Sequence, residues 1–171
     1  MEEKVILVDE RDEQVGTMEK LEAHRQGLLH RAFSIFIFNS KNELLLQQRA
    51  LHKYHSAGMW TNSCCSHPRP GEQTLAAAHR RLQEEMGMKC ELEYAFNFTY
   101  EAAFSNELTE HEFDHVYFGY SDALPTPDPE EVASYRYVNL DALKEDLAKN
   151  PDLYSAWLNK CFDKIQINKA I

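Results

Sequence analysis

The run from Phe33 to Phe38, FSIFIF, constrains the fold most, because a β-branched and aromatic stretch of this kind is built for the interior of a sheet. A polar turn at Asn39 to Asn42 and a second apolar run at Leu44 to Gln48 follow it, so the pair reads as a hairpin. Val5 to Val8, Tyr94 to Tyr100, Glu112 to Tyr120 and Tyr135 to Val138 also fit strands. One helix is expected from Leu75 to Met86, with Thr74 as N-cap and Gly87 as its stop, and one or two more between Asp141 and Ile167. These elements predict an α+β domain, a mixed sheet flanked by helices. The nearest approach to a chain break is Leu124 to Pro129, LPTPDP, read as an exposed loop, so residues 1–171 are expected to form one domain.

A formal net charge of -10 argues against nucleic-acid binding, which needs a basic face to displace phosphate counterions. An anionic small substrate remains possible if cations or a divalent metal are focused locally. The charged start at Glu2, Glu3 and Lys4 does not resemble a signal peptide, and no apolar run reaches membrane-spanning length. The cysteines Cys64, Cys65, Cys90 and Cys161 show neither zinc-ribbon spacing nor a secreted disulfide framework. A reducing cytoplasm is the expected compartment, with no obligate protein partner evident.

Chemistry concentrates in Trp60 to Pro68, WTNSCCSHP. In an extended segment Cys65 and His67 share one face and Cys64 and Ser66 the other. In Thr109 to Val116, TEHEFDHV, the same alternation sets Glu110, Glu112 and Asp114 on one face and His111 and His115 opposite. Such a row can bind metal and transfer protons, or can simply be the polar face of an edge strand. His24, His30, His67, Glu110 and Glu112 together make a mixed nitrogen and oxygen set suited to Zn or Mn, although a lone histidine is more often a surface or hydrogen-bonded residue. On the expected helix Leu75, Ala78, Leu82 and Met86 form the buried stripe, Arg81 and Glu85 lie together at its edge, and Glu84 points away. Lys20, Arg49, Lys53 and Arg81 are candidate phosphate ligands, against a bland reading of Lys20 and Lys53 as solvated surface residues.

Residues Ser66 to Met88 resemble a degenerate Nudix box, with Glu72, Arg80, Leu82, Glu84, Glu85 and Gly87 at box spacings. Ser66 stands where the box begins with Gly, and Arg81 replaces a Glu that helps the hydrolases assemble metal for phosphoanhydride cleavage. Taken with WTNSCCSHP, Glu110 to Glu112 and Trp157 in LYSAW, the pattern resembles the type I isopentenyl diphosphate isomerases over Lys20 to Trp157.

The resemblance implies a Nudix-like α/β/α sandwich and exchange of a double bond between isopentenyl and dimethylallyl diphosphate. It implies that His24, His30, His67, Glu110 and Glu112 surround one Zn or Mn ion. Mg would lie between Glu85, the Cys65 carbonyl and the substrate diphosphate, with Lys20, Arg49, Lys53 and Arg81 completing the anion site. Cys65 and Glu112 would flank the hydrocarbon, with Tyr100 bonded to the carboxyl group and Trp157 offering a π face to a carbocation. The alternatives are a Nudix diphosphate hydrolase and a noncatalytic, metal-dependent binding module.

Overall fold

The computed structural model describes residues 3–53, 56–104 and 106–169. Its strands are β1 (Lys4–Val8), β2 (Gln14–Glu19), β3 (His30–Phe38), β4 (Glu43–Arg49), β5 (Trp60–Thr61), β6 (Cys64–Ser66), β7 (Leu92–Ala103), β8 (Thr109–Tyr120) and β9 (Val132–Asn139). The helices are α1 (Lys20–Gln26), α2 (Thr74–Met86), α3 (Leu140–Lys149) and α4 (Ala156–Lys169), with a short 3-10 turn at Pro151–Leu153.

The FSIFIF run lies inside β3, at the centre of a mixed sheet. Along one edge β3 pairs in parallel with β8, from His30 opposite Glu112 to Phe38 opposite Tyr120. Its other edge is shared in turn by β1 at His30, β6 at Phe33 to Ile35 and β4 at Phe38. Paired along both edges and covered by helices on both faces, β3 can be apolar throughout. Phe33, Ile35 and Ile37 pack with Ala78, Leu82 and Met86 of α2, whereas Phe36 and Phe38 pack with Leu143 of α3 and Leu158 and Phe162 of α4. A helix-covered face on each side is the sandwich expected of an α+β chain.

The β2 strand and α1 extend the sequence reading. A seven-residue helix carries little periodic signal, and α1 is defined by its ends: Glu19 accepts from the backbone N–H groups of Leu21 and Glu22, and Gly27 closes it at φ 66°. Two expectations for α2 are corrected. Thr74 is its first helical residue, and Gln73 holds the N-cap position without a side-chain cap bond. The buried arc comprises Ala77, Ala78, Leu82, Glu85 and Met86, so Glu85 is within it rather than at its edge. Leu75 lies at the margin of that arc in the first turn and is 42% exposed.

The LPTPDP segment links β8 to β9 and also finishes α2. The backbone N–H groups of Thr126 and Asp128 donate to the carbonyls of Met86 and Glu85 at 2.8 and 2.9 Å, satisfying two groups that a helix end leaves open. Gly87 is required at this join: it sits at φ 61°, and a Cβ there would come within 2.6 Å of the Thr126 carbonyl oxygen.

Candidate active site

The strand registers assemble most of the chemistry at one end of the sheet. Tyr100 of β7 lies opposite Glu112 of β8, and Glu112 lies opposite His30 of β3, giving a row across three strands. Glu110 and Asp114 share the Glu112 face by alternation, and all three carboxylates are buried. The outward histidines behave as the same periodicity requires: His115 meets Asp12 at 2.8 Å and His111 the Gly27 carbonyl at 3.2 Å. β8 is thus an interior strand, and the polar edge-strand reading falls away.

Four of the expected ligands converge. One donor atom from each of His24, His30, His67 and Glu112 lies within 4.8 Å of all the others. They come from α1, β3, the segment after β6, and β8. His30 Nδ1 bonds the Leu28 carbonyl at 2.9 Å, which directs Nε2 inward at 3.2 Å from Glu112 Oε2. His67 Nε2 is 2.7 Å from the same oxygen. Three imidazoles and a carboxylate, one imidazole oriented by a backbone carbonyl, suit a divalent ion in chemistry and spacing. Glu110 is not one of these four; its Oε1 lies 2.8 Å from the Tyr100 hydroxyl, which also contacts Glu112.

Electrostatics in this cluster follows from burial. Burial, then electrostatic interaction with the His67 and His30 rings, pushes His24 down to about 3. Burial also works against ionised Glu112, but bonds from His30 and His67 outweigh it and hold the group well below the usual carboxylate range. Glu110 and Asp114 move the other way, well above that range, through burial and then repulsion from Glu112. Tyr100 has one proton to share between two carboxyl groups.

The cluster opens into a cavity of about 710 Å³, lined by Glu110, Glu112, Cys65, His67 and Trp157. Lys20, Arg49, Lys53, Arg81 and Glu85 also reach its wall, so all the expected substrate cations face one space. Cys64 and Cys65 take opposite faces of β6, as alternation requires: Cys64 packs against the α2 side of the sheet and Cys65 against the α4 side. Burial, then the charge of Asp114, raises the Cys65 thiol well above its ordinary range. The Arg49 guanidinium carbon lies 5.4 Å from the centre of the Trp157 ring.

Lys20, Lys53 and Arg81 are held by acids. Lys20 pairs with Glu3 at 2.7 Å. Arg81 lies 3.2 Å from Glu85 and 3.1 Å from Glu131, and Lys53 also contacts Glu131. Burial opposes the Arg81 charge, yet Glu85 and Glu131 raise its pKa. Burial dominates at Glu85 and raises its pKa despite Arg81. Sequence reading missed Glu131, which follows a proline-rich loop and carries no motif. It also passed over Asn62 and Ser34, although Asn62 lies inside WTNSCCSHP.

A NUDIX domain is recognised over residues 28–158. The chain is 54% identical over 165 residues to isopentenyl-diphosphate Delta-isomerase 1 of Aromatoleum aromaticum, covering 96% of this chain and 93% of that protein. It is 55% identical over 157 residues to the isopentenyl-diphosphate Delta-isomerase of Serratia proteamaculans, covering 92% and 88%. Among solved structures, DR0079 of Deinococcus radiodurans superposes with a TM-score of 0.81 at 23% identity, covering 95% of this chain and 98% of that one, a likeness of fold. With the family match spanning most of the sheet and the curated relatives spanning nearly the whole chain, the protein belongs to the Nudix superfamily and, within it, to the isopentenyl-diphosphate Delta-isomerases.

Proposed function

We propose that this chain interconverts isopentenyl and dimethylallyl diphosphate, with Cys65 and Glu112 transferring the protons. The observation that carries the reading is a single cavity in which a thiol, a carboxylate and an indole ring sit together beside a group of cations. The cations suit a diphosphate, while Cys65 and Trp157 have no task in phosphate binding alone. Identity above one half to curated isomerases supports the same reaction. A diphosphate hydrolase is not favoured, since Arg81 supplies a cation where hydrolysis calls for a carboxylate.

Addition of a proton to one end of the double bond uses its electron pair to form a C–H bond and leaves a tertiary carbocation. Loss of a proton from the other neighbouring carbon restores a double bond, so the diphosphate is unchanged. Burial keeps Cys65 as a thiol and the histidines keep Glu112 ionised, which gives one donor and one acceptor. Tyr100 fixes the orientation of the Glu112 carboxylate. The Trp157 face stabilises the cation, worth about 2 kcal/mol when desolvated.

The resident metal, Zn or Mn, would be held by His24, His30, His67, Glu110 and Glu112, and would order the carboxylates through Lewis-acid attraction. Mg, held by Glu85 and the Cys65 carbonyl, would neutralise diphosphate charge beside Lys20, Arg49, Lys53 and Arg81. The chain works as one domain over residues 1–171, in the cytoplasm, with an isoprenyl diphosphate rather than nucleic acid as its partner. Among the described residues no helix is long and apolar enough to cross a membrane.

Proton NMR in D₂O tests the reaction. Isopentenyl diphosphate, Mg and metal-loaded protein are expected to give dimethylallyl diphosphate with deuterium at the transposed carbons. Neither product nor label would reject the reading, and phosphate release without isomerisation would favour the hydrolase.

A further inference from the structure

Asn62 makes more polar contacts than any neighbouring residue of its motif, and they run in two directions. Its side chain is fully buried. The amide Nδ2 donates to the Ile35 carbonyl at 2.9 Å and the Cys64 carbonyl at 3.0 Å. The opposite end, Oδ1, accepts from Cys65 Sγ at 2.9 Å, Trp157 Nε1 at 3.0 Å and Thr61 Oγ1 at 2.9 Å. The five partners fix which end is which: a flipped amide would set N–H against the indole N–H and oxygen against two carbonyls.

The two ends therefore do different work. Nδ2 clamps the backbones of β3 and β6. Oδ1 joins the thiol on β6 to the indole on α4, groups 92 positions apart in the chain, beside the contact at 2.8 Å between Thr61 of β5 and Ser155, which precedes α4. The thiol has one proton and two oxygens in reach, Asn62 Oδ1 at 2.9 Å and Ser34 Oγ at 3.5 Å. Ser34 gives its own proton to Asp114 at 2.7 Å, so its oxygen is a second, more distant acceptor.

We infer that Asn62 is a positioning residue for the isomerisation, its carbonyl oxygen setting the Cys65 sulfur and the Trp157 ring in register at one hydrocarbon pocket. The inference rests on the proposed isomerase reading. The reaction needs a proton donor and a cation-stabilising face held at the same few atoms. A shared acceptor supplies that coupling, since neither group can turn without losing its bond to Oδ1.

Three forms of the metal-loaded protein test the idea: wild type, Asn62→Leu and Asn62→Asp, with Trp157→Phe used to assign the indole resonance. Asn62→Leu keeps the bulk and removes both ends, and its kcat is expected to fall about 100-fold, the usual cost of misplacing a reacting group by about 1 Å. KM and bound metal are expected to stay at wild-type values, and the Trp157 indole N–H resonance to move upfield. Asn62→Asp keeps the oxygen acceptor, so it is expected to recover the indole resonance and most of the lost kcat even where its melting temperature drops to that of Asn62→Leu. Activity that simply tracks melting temperature across the variants would overturn the inference. If Asn62→Leu does not fold, the wild-type indole decides: a random-coil shift with rapid exchange overturns the bond to Oδ1, whereas a downfield, protected N–H together with recovery of kcat in Asn62→Asp supports it. An inactive wild type would overturn the isomerase reading itself. An active wild type with an Asn62→Leu variant of equal kcat would overturn the inference alone.

Discussion

The charged residues of α2 and those of β8 meet at the same end of the sheet and are stabilised in opposite ways. On α2 the charges are compensated locally. Arg80 bonds Glu72 and Glu84 at 2.8 Å each, and its neighbour Arg81 is shared between Glu85 and Glu131. On β8 three buried acids repeat every second residue, and the bonds to them come from imidazoles and hydroxyls: His30, His67 and Tyr100 for Glu112, Ser34 for Asp114. A row of buried acids is costly unless protons or a cation neutralise it. The charges of the helix are paired within the protein, whereas those of the strand open onto a group of three imidazoles and a carboxylate that suits a metal ion.

The comparison predicts effects of different kinds. Cys65→Ala touches neither charge system and carries the largest effect: turnover should fall by about 100-fold to 10,000-fold, the range for a proton-transfer group, with metal content unchanged. Full activity in that variant would remove the thiol from the reaction. His67→Ala strikes the strand system. Metal affinity should fall by more than the about 10-fold to 100-fold typical of losing a supporting contact, as read by metal analysis after dialysis. Retention of full metal content would break the claim that β8 depends on a cation.

Arg81→Gln strikes the helix system on its cavity side. KM for the diphosphate should rise about tenfold, equivalent to about 1.4 kcal/mol, with a smaller change in kcat and a strong dependence on salt. An unchanged KM would place the diphosphate elsewhere. Glu72→Gln strikes the same helix on its outer side and should cost only about 0.2–1 kcal/mol in chemical denaturation. Bonds from Arg80 lower the Glu72 pKa in the folded protein, so this contribution is present above the unfolded carboxylate range and is lost as pH falls through the lower folded value. The difference between wild type and Glu72→Gln should therefore shrink on acidification. A difference that grew would contradict the sign.

Period-two alternation made β8 legible, because a strand buried between β3 and β7 keeps its acids on one side wherever the sheet lies. The same rule separated Cys64 from Cys65. Alternation does not say which strands are neighbours, so the row of Tyr100, Glu112 and His30 became visible only through their pairing. Leu75 misled because its hydrophobicity does not tell whether the first turn of a helix is covered by the sheet, and here it is 42% exposed. Glu131 and Asn62 were silent for a related reason: an acid in a loop and an amide in a polar run acquire their roles from partners distant in sequence. His24, His30 and His67 match no compact zinc motif by spacing, so the residues offered them only as part of a mixed set with Glu110 and Glu112, and a resemblance spread over separated segments implied one shared ion.

The parallel pairing of β3 with β8 also sets an order in time. During synthesis His24, His30, the two adjacent thiols and His67 emerge well before Glu112, which is 82 positions beyond His30. Bringing β8 alongside β3 closes a long loop and belongs to the slower, non-local part of folding. Until then the nascent chain carries imidazoles and thiols open to soft metal ions and oxidants, without the Glu112 carboxylate that His30 and His67 meet in the folded protein. The folded sheet buries Cys64 beneath α2 and sets Cys65 in the cavity wall, so the two thiols are shielded only once the central strands have paired.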